Sequence, residues 1–461
     1  MRGRTGTLGG TGNRLLARWA RLLAAVTALL LVLTACGGAG GGDTTAATTG
    51  DTPADTTAET TAETTADTTA DTTADTTATT DGGEAPSGDP IKIGGTLGLT
   101  GIYSGPSAGY QIAYNYWADQ VNASGGLLGR PVELIIYDDE STPQVAQQLY
   151  QRLINEDQVD LLFAPYTTAV GGAVIPITER AGKLVVNAGF VGKEIHMQSE
   201  LLVSTWPYQD NEYPRPLFEF IKTLPEDERP QTVAIATAQN PFTLVARDGV
   251  DGEGGVINYA EEAGLEVVVN EEYDQTATDL SSLIQRVQQS DADVFVALSL
   301  PNDAALIANT VYQAGYNPQI YCQCGSQVTT LPNWPDLGEA GINVFATTTA
   351  WPTLDYNGLA ELTDYLLDEL GVPVLPAYAA AGYAAGQIIQ QAVEGTGSLD
   401  SQELREYIAN NTFDTAVGQI SYNEDGTVAF NALLLQYQED GNQVIWPENE
   451  ATGEAVMPLR P

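Results

Sequence analysis

Residues 91–461 alternate short, unbroken apolar runs with longer amphipathic stretches, and this alternation constrains the possible folds more than any other feature of the chain. IKIGGTLGL (91–99), VELIIY (132–137), LLFA (161–164) and KLVV (183–186) read as strands. Residues 111–122, 143–155 and 170–180 between them read as helices. After an aromatic, proline-rich passage the pattern restarts with TVAIAT (232–237), LEVVV (265–269) and DVFVALS (293–299). Runs apolar at every position suit strands buried on both faces of a parallel sheet. The predicted class is therefore α/β. Two successive units of similar size predict two lobes, with ligand bound beyond the carboxyl ends of the strands.

The first 90 residues break this pattern. Arg2, Arg4, Arg14, Arg18 and Arg21 precede the apolar run LLAAVTALLLVLTA, residues 22–35. That run is shorter than the roughly 20 residues of a bilayer span and reads as an export signal. Its ending, LTAC (33–36), resembles the bacterial lipobox, in which the signal is cut before a cysteine that then carries diacylglycerol. Residues 1–35 are thus expected to be a lipoprotein signal peptide, with Cys36 lipidated on the extracytoplasmic face of the membrane. Residues 36–90 hold eleven acids, no base and six copies of acid-Thr-Thr-Ala. With almost nothing to bury, they are expected to form a disordered tether.

Charge excludes several functions. The chain carries −42, and residues 91–461 alone hold 49 acidic against 13 basic groups. Such a surface repels phosphate backbones and anionic lipid headgroups, so neither nucleic acid nor a charge-held membrane surface is an expected partner. One histidine and two cysteines beyond the N-terminal segment leave no Cys/His zinc site. No metal or cofactor is expected. GxGxxG and GxxxxGK[ST] motifs are lacking, and His196 stands beside no recognisable nucleophile, so no enzyme is indicated. Cys322 and Cys324 in YCQCGS, two apart in a predicted strand, point to one face and are expected as buried free thiols.

Several segments, in order, resemble the type I periplasmic solute-binding proteins of the branched-chain amino acid (Leu/Ile/Val-binding) group: LTGIYSG (99–105), NASGGLLGRPVEL (122–134), DDESTPQVA (138–146), VIPITERAGKLVV (174–186), AYAAAGYAAGQIIQQAVEGTGSLD (377–400) and VGQISYNEDG (417–426). The resemblance covers essentially all of 91–461. It implies two Rossmann-like lobes joined by three hinge crossings, expected near 206–211, 327–336 and 412–417. Lobe 1 would then comprise 91–208 and 332–412, and lobe 2 would comprise 209–331 and 413–461. It also implies a monomeric receptor of an ABC importer that closes on a small solute and docks on a membrane permease. A sensor of the same fold feeding a signalling partner is the alternative.

Candidate ligand contacts follow from the same segments. In APYTTAVGG (164–172) a strand runs through Tyr166, Thr167 and Thr168 into a helix N-terminus, whose free N–H groups favour an anion. The resemblance places Thr168 on a ligand carboxylate; an N-cap role suits Thr167 or Thr168 equally well. In NAGFVG (187–192), Gly189 matches the amino acid binders, but Val191 stands where they carry a threonine, which puts a free amino acid ligand in doubt. Asp303 aligns with the family's ammonium-binding acid, and helix capping is its structural alternative. Tyr103, Tyr166, Phe190, Trp206, Tyr208 and Phe242 fall in loops expected to face the cleft. They suggest a pocket for an apolar or aromatic part of a solute such as an amino acid, an amide or an aromatic carboxylate.

Overall fold

The computed structural model describes residues 85–372 and 376–460. The expected signal peptide, Cys36 and all but the last residues of the tether lie outside this range. No helix among the described residues is long and apolar enough to cross a membrane.

The first lobe is built on five parallel strands: β1 (Ile91–Leu97), β2 (Val132–Asp138), β3 (Leu161–Phe163), β4 (Val185–Asn187) and β5 (Leu202–Ser204), in the order β2-β1-β3-β4-β5. The second sheet begins with β6 (Thr232–Ala238), β7 (Glu266–Tyr273), β8 (Val294–Leu298), β9 (Ile320–Cys322) and β10 (Val344–Thr348), all parallel. A separate antiparallel hairpin, β11 (Thr412–Thr415) and β12 (Gly418–Ser421), follows later in the chain. Antiparallel β13 (Leu433–Gln438) and β14 (Gly441–Trp446) then complete the second sheet, giving the order β14-β13-β10-β9-β8-β6-β7.

The unbroken apolar runs have a direct structural cause. In β6, Val233 and Ile235 pack on one face with Phe218 and Ile221, while Ala234 and Ala236 join the core on the other. In β8, Val294 and Val296 divide from Phe295 and Ala297 in the same way. Both faces are covered, so an apolar side chain is favoured at nearly every position. Strand β7 lies at the edge, and its residues are half-buried or exposed until Tyr273.

The crossings differ from expectation at two of three places. The first falls between β5 and the helix Arg215–Thr223, as the 206–211 expectation has it. Residues 327–336 do not cross: they link β9 to β10, both in the second sheet. Residues 412–417 do not cross either. They open the hairpin that packs on the helix Ala377–Thr396, where Gln391 Nε2 donates to the Asp414 carbonyl (3.0 Å) and Ala416 N to Gln387 Oε1 (2.8 Å). The chain therefore leaves the second sheet after Thr348 and re-enters it before Leu433, so the boundaries at 331/332 and 412/413 are displaced. The run VFATT is short and polar at its end, and only its pairing with β13 makes it a strand of the second sheet.

The cysteines are corrected as well. Cys322 and Cys324 form a disulfide, both sulfurs fully buried, with Cα atoms 5.2 Å apart. Strand β9 stops at Cys322, so Cys324 lies in a turn and the two Cα atoms come closer than an extended i, i+2 pair allows.

Candidate functional site

The site forms where strand ends of the two lobes face each other. Beyond β3, Thr167 is the N-cap of the helix Thr168–Arg180, with an extended backbone and no side-chain capping bond. The first N–H groups of that helix have no partner within it. Thr168 Oγ1 donates to the Val191 carbonyl at 2.6 Å. Beyond β4, Asn187 Oδ1 accepts the N–H groups of Gly189 and Phe190, each at 3.0 Å, and its Nδ2 returns a bond to the Phe190 carbonyl at 2.8 Å. One buried side chain thus sets the whole turn. A Cβ on Gly189 would collide with the Pro165 carbonyl, which is why these two loops lie against each other. Tyr110 Oη (2.5 Å) and Trp206 Nε1 (2.8 Å) both donate to the Ala188 carbonyl.

The second lobe supplies three segments. Asn240 Oδ1 caps the helix Pro241–Asp248 through the Phe242 N–H at 3.1 Å, presenting the Phe242 ring. Leu300 follows β8. Gly325, Ser326 and Gln327 follow the disulfide, with Ser326 Oγ donating to the Ser299 carbonyl at 3.2 Å. Any Cβ on Gly325 would collide with the backbone of Ser299. Between the lobes lies a small cavity of about 50 Å³.

Of the expected contacts, Tyr166, Thr167, Thr168, Gly189, Phe190, Trp206 and Phe242 all line this cavity, as does Tyr208. Tyr103 and Asp303 do not. Tyr103 stands one layer behind, its ring edge-on to Tyr166 with centroids 5.6 Å apart. Asp303 is buried and turned to its own lobe, where Tyr273 Oη and the Leu300 N–H occupy its two oxygens. Its structural role comes through the Leu300 N–H rather than through a classical side-chain cap of the helix Ala304–Ala314.

Sequence reasoning missed Tyr110, Tyr213, Leu300, Ser326, Gln327 and Tyr378, which also line the cavity. Tyr110 and Tyr378 sit near the starts of helices Ser104–Ala123 and Ala377–Thr396, and loop aromatics alone were sought. Their rings meet at 5.7 Å, a contact between residues 268 positions apart that no local signal reveals.

The lining contains no Asp, Glu, Lys, Arg or His. Burial and the neighbouring phenols raise Tyr110, Tyr166, Tyr208 and Tyr213 well above the usual tyrosine range, so all remain neutral. Tyr208 Oη is fully buried without a hydrogen-bond partner. His196 lies behind the site with its ring near Phe190, and burial lowers it to about 4. Near the hinge, Lys193 Nζ and Glu253 Oε2, 3.6 Å apart, pair across the two lobes.

A family profile described as periplasmic binding protein matches residues 90–442. The Leu/Ile/Val-binding protein homolog 7 of Brucella abortus is 23% identical over 398 residues, covering 82% of this chain and 96% of its own. The branched-chain amino acid transporter substrate-binding protein of Streptococcus pneumoniae, in complex with isoleucine, superposes with a TM-score of 0.66 at 18% identity, over 80% of this chain and 100% of that one. A solute-binding protein of an ABC transporter from Rhodopseudomonas palustris, in complex with 3,4-dihydroxybenzoic acid, gives 0.67 at 17% identity, over 80% and 98%.

Proposed function

The chain belongs to the periplasmic binding protein family, and from that premise we propose that it is the lipid-anchored receptor of an ABC importer, capturing a small amino acid-like, amide or aromatic carboxylate solute by hinge closure. The observation that carries this reading is the cavity whose walls come from both lobes, with Tyr166, Thr167 and Phe190 on one side and Phe242, Leu300 and Gln327 on the other. A solute touching both walls makes its full set of contacts only when the lobes are closed. It therefore shifts the population toward the closed form, which a permease can distinguish from the open one. Relatives of similar shape bind isoleucine in one case and 3,4-dihydroxybenzoic acid in another, so the shared fold accommodates both kinds of solute.

In this reading Cys36 carries the lipid, and the Thr/Ala/Asp-rich residues after it tether the binding lobes to the extracytoplasmic face of the membrane. Two measurements test the proposal. A thermal-shift screen against amino acids, amides and aromatic carboxylates should yield at least one solute that raises the melting temperature, by about 2.7 kcal/mol of added stability at a hundredfold excess over Kd. Cys36→Ala should release the protein from the membrane fraction. A screen with no hit in any class sinks solute capture, and retention of the variant on the membrane sinks the anchor.

A further inference from the structure

Resting on that reading of the cavity, we infer that its solute is an aromatic carboxylate with no ammonium group. The cavity presents eight aromatic side chains and no ionisable acid or base other than tyrosine. A zwitterionic amino acid brings a cationic ammonium into this space, and an ammonium without a carboxylate partner is costly to desolvate, by several kcal/mol. The acid best placed to supply that partner is Asp303, and its oxygens are already taken by Tyr273 Oη at 2.6 Å and the Leu300 N–H at 2.7 Å. Asp210, the other buried acid near the hinge, accepts from the backbone of Lys193 and Asn211 and does not reach the cavity.

Thr168 Oγ1 and Ser326 Oγ spend their protons on the Val191 and Ser299 carbonyls, and three other polar groups of the lining can donate. Gln327 Oε1 is occupied by the Thr348 hydroxyl at 3.0 Å, which leaves its Nε2 for the cavity. The Thr167 hydroxyl makes no capping bond, and it borders helix N–H groups that have no partner within the helix. The Tyr208 hydroxyl is buried at the hinge end without a hydrogen-bond partner, as are Gln209 Oε1 and Asn211 Oδ1, of which Tyr208 alone lines the cavity. Donors thus come from the first lobe, the hinge and the second lobe. An anionic carboxylate can accept from such neutral groups without a counter-charge. The remaining wall, in which Tyr213 meets Phe242 edge-on at 5.3 Å and Tyr208 at 4.9 Å, suits the face and edge of an aromatic ring.

Matched pairs isolate the ammonium. Isothermal titration of the full chain at neutral pH would compare L-phenylalanine with 3-phenylpropanoate, L-tyrosine with 3-(4-hydroxyphenyl)propanoate, and L-leucine with 4-methylpentanoate, with benzoate and benzamide alongside. The des-amino acid of each pair should bind more tightly than its amino acid, by about two orders of magnitude. Both aromatic acids should also outbind 4-methylpentanoate, and benzoate should outbind benzamide. Gln327→Glu, which places a carboxylate in the wall, should narrow the phenylalanine to phenylpropanoate gap by about tenfold or more. If an amino acid binds as tightly as its des-amino partner, or benzamide outbinds benzoate, this inference falls while solute capture stands. If no member of the panel binds, this inference falls, and a failure of the wider thermal-shift screen would take solute capture with it.

Discussion

Tyr273 Oη donates to Asp303 Oδ2 at 2.6 Å, and this bond holds the acid aligned with an ammonium-binding position inside its own lobe. With the Leu300 N–H on its other oxygen, Asp303 braces the turn that places Leu300 in the cavity wall and contacts the cavity only through it. Asp303→Asn should therefore change solute affinity by less than about threefold, as expected of a residue outside the contact surface. Titration of the variant with whichever solute the screen identifies checks this, and a tenfold loss would return Asp303 to the binding surface.

The buried acids give stability a distinctive dependence on pH. Burial raises Asp139, Asp210 and Asp303 to about 6 each, above the ordinary aspartate range. Their neutral forms are favoured by the fold, so the stability they contribute is present at pH below that range and is lost as pH rises through about 6. His196, lowered to about 4, works in the opposite sense: its contribution is present above the ordinary histidine value and is lost as pH falls through about 4. Three groups outweigh one. The melting temperature should be higher at about pH 5 than at about pH 7 in matched ionic strength, and Asp303→Asn should reduce that difference. A melting temperature that falls from pH 7 to pH 5 would contradict the assignment.

The disulfide Cys322–Cys324 closes a very short loop, so its effect on the unfolded chain is small, about 1–2 kcal/mol. Its position gives it more influence on the site, because Gly325, Ser326 and Gln327 follow it directly. The double variant Cys322→Ser, Cys324→Ser should lose stability in that range and bind solute more weakly than the parent. Differential alkylation before and after reduction, read by mass spectrometry, would show the pair oxidised. Alkylation of both cysteines in denatured but unreduced protein would refute the bond.

Gly325 has no room for a side chain. A Cβ there would collide with the backbone nitrogen and carbonyl of Ser299, which is held in place directly after β8 and donates through its hydroxyl to Gln323. Gly325→Ala should lower the melting temperature and cost about 1–3 kcal/mol. Gly252→Ala, at an open position where no atom lies within contact of the added Cβ, should cost less, limited to the strain of its left-handed backbone. Equal losses for the two would show that the close approach at Ser299 carries no weight.

Much of the fold was legible because it is written in local patterns. The strands at 91–97, 132–138, 232–238 and 294–298 lie within a residue or two of the apolar runs that signal them, since burial on both faces admits few polar residues. The loop aromatics Tyr166, Phe190, Trp206 and Phe242 were legible for a related reason, as large apolar side chains just beyond strand ends have few places to go but a cleft. Tyr378 was not, because an aromatic on an Ala/Gly-rich helix looks the same whether it packs in a core or faces a cavity.

The sequence by itself determined the α/β class, the two repeating units and the acidic surface through short-range periodicity and composition, and most of the loops that meet at the cleft through resemblance to the family. Tertiary structure alone decided where the chain crosses between lobes, whether Cys322 and Cys324 join, and that Asp303 turns to Tyr273 and away from the cavity. Each of these depends on a partner chosen by folding: β13 for VFATT, a turn that shortens one Cα distance, a phenol 30 residues away. Side-chain chemistry names the candidates, but only long-range packing determines which of them meet.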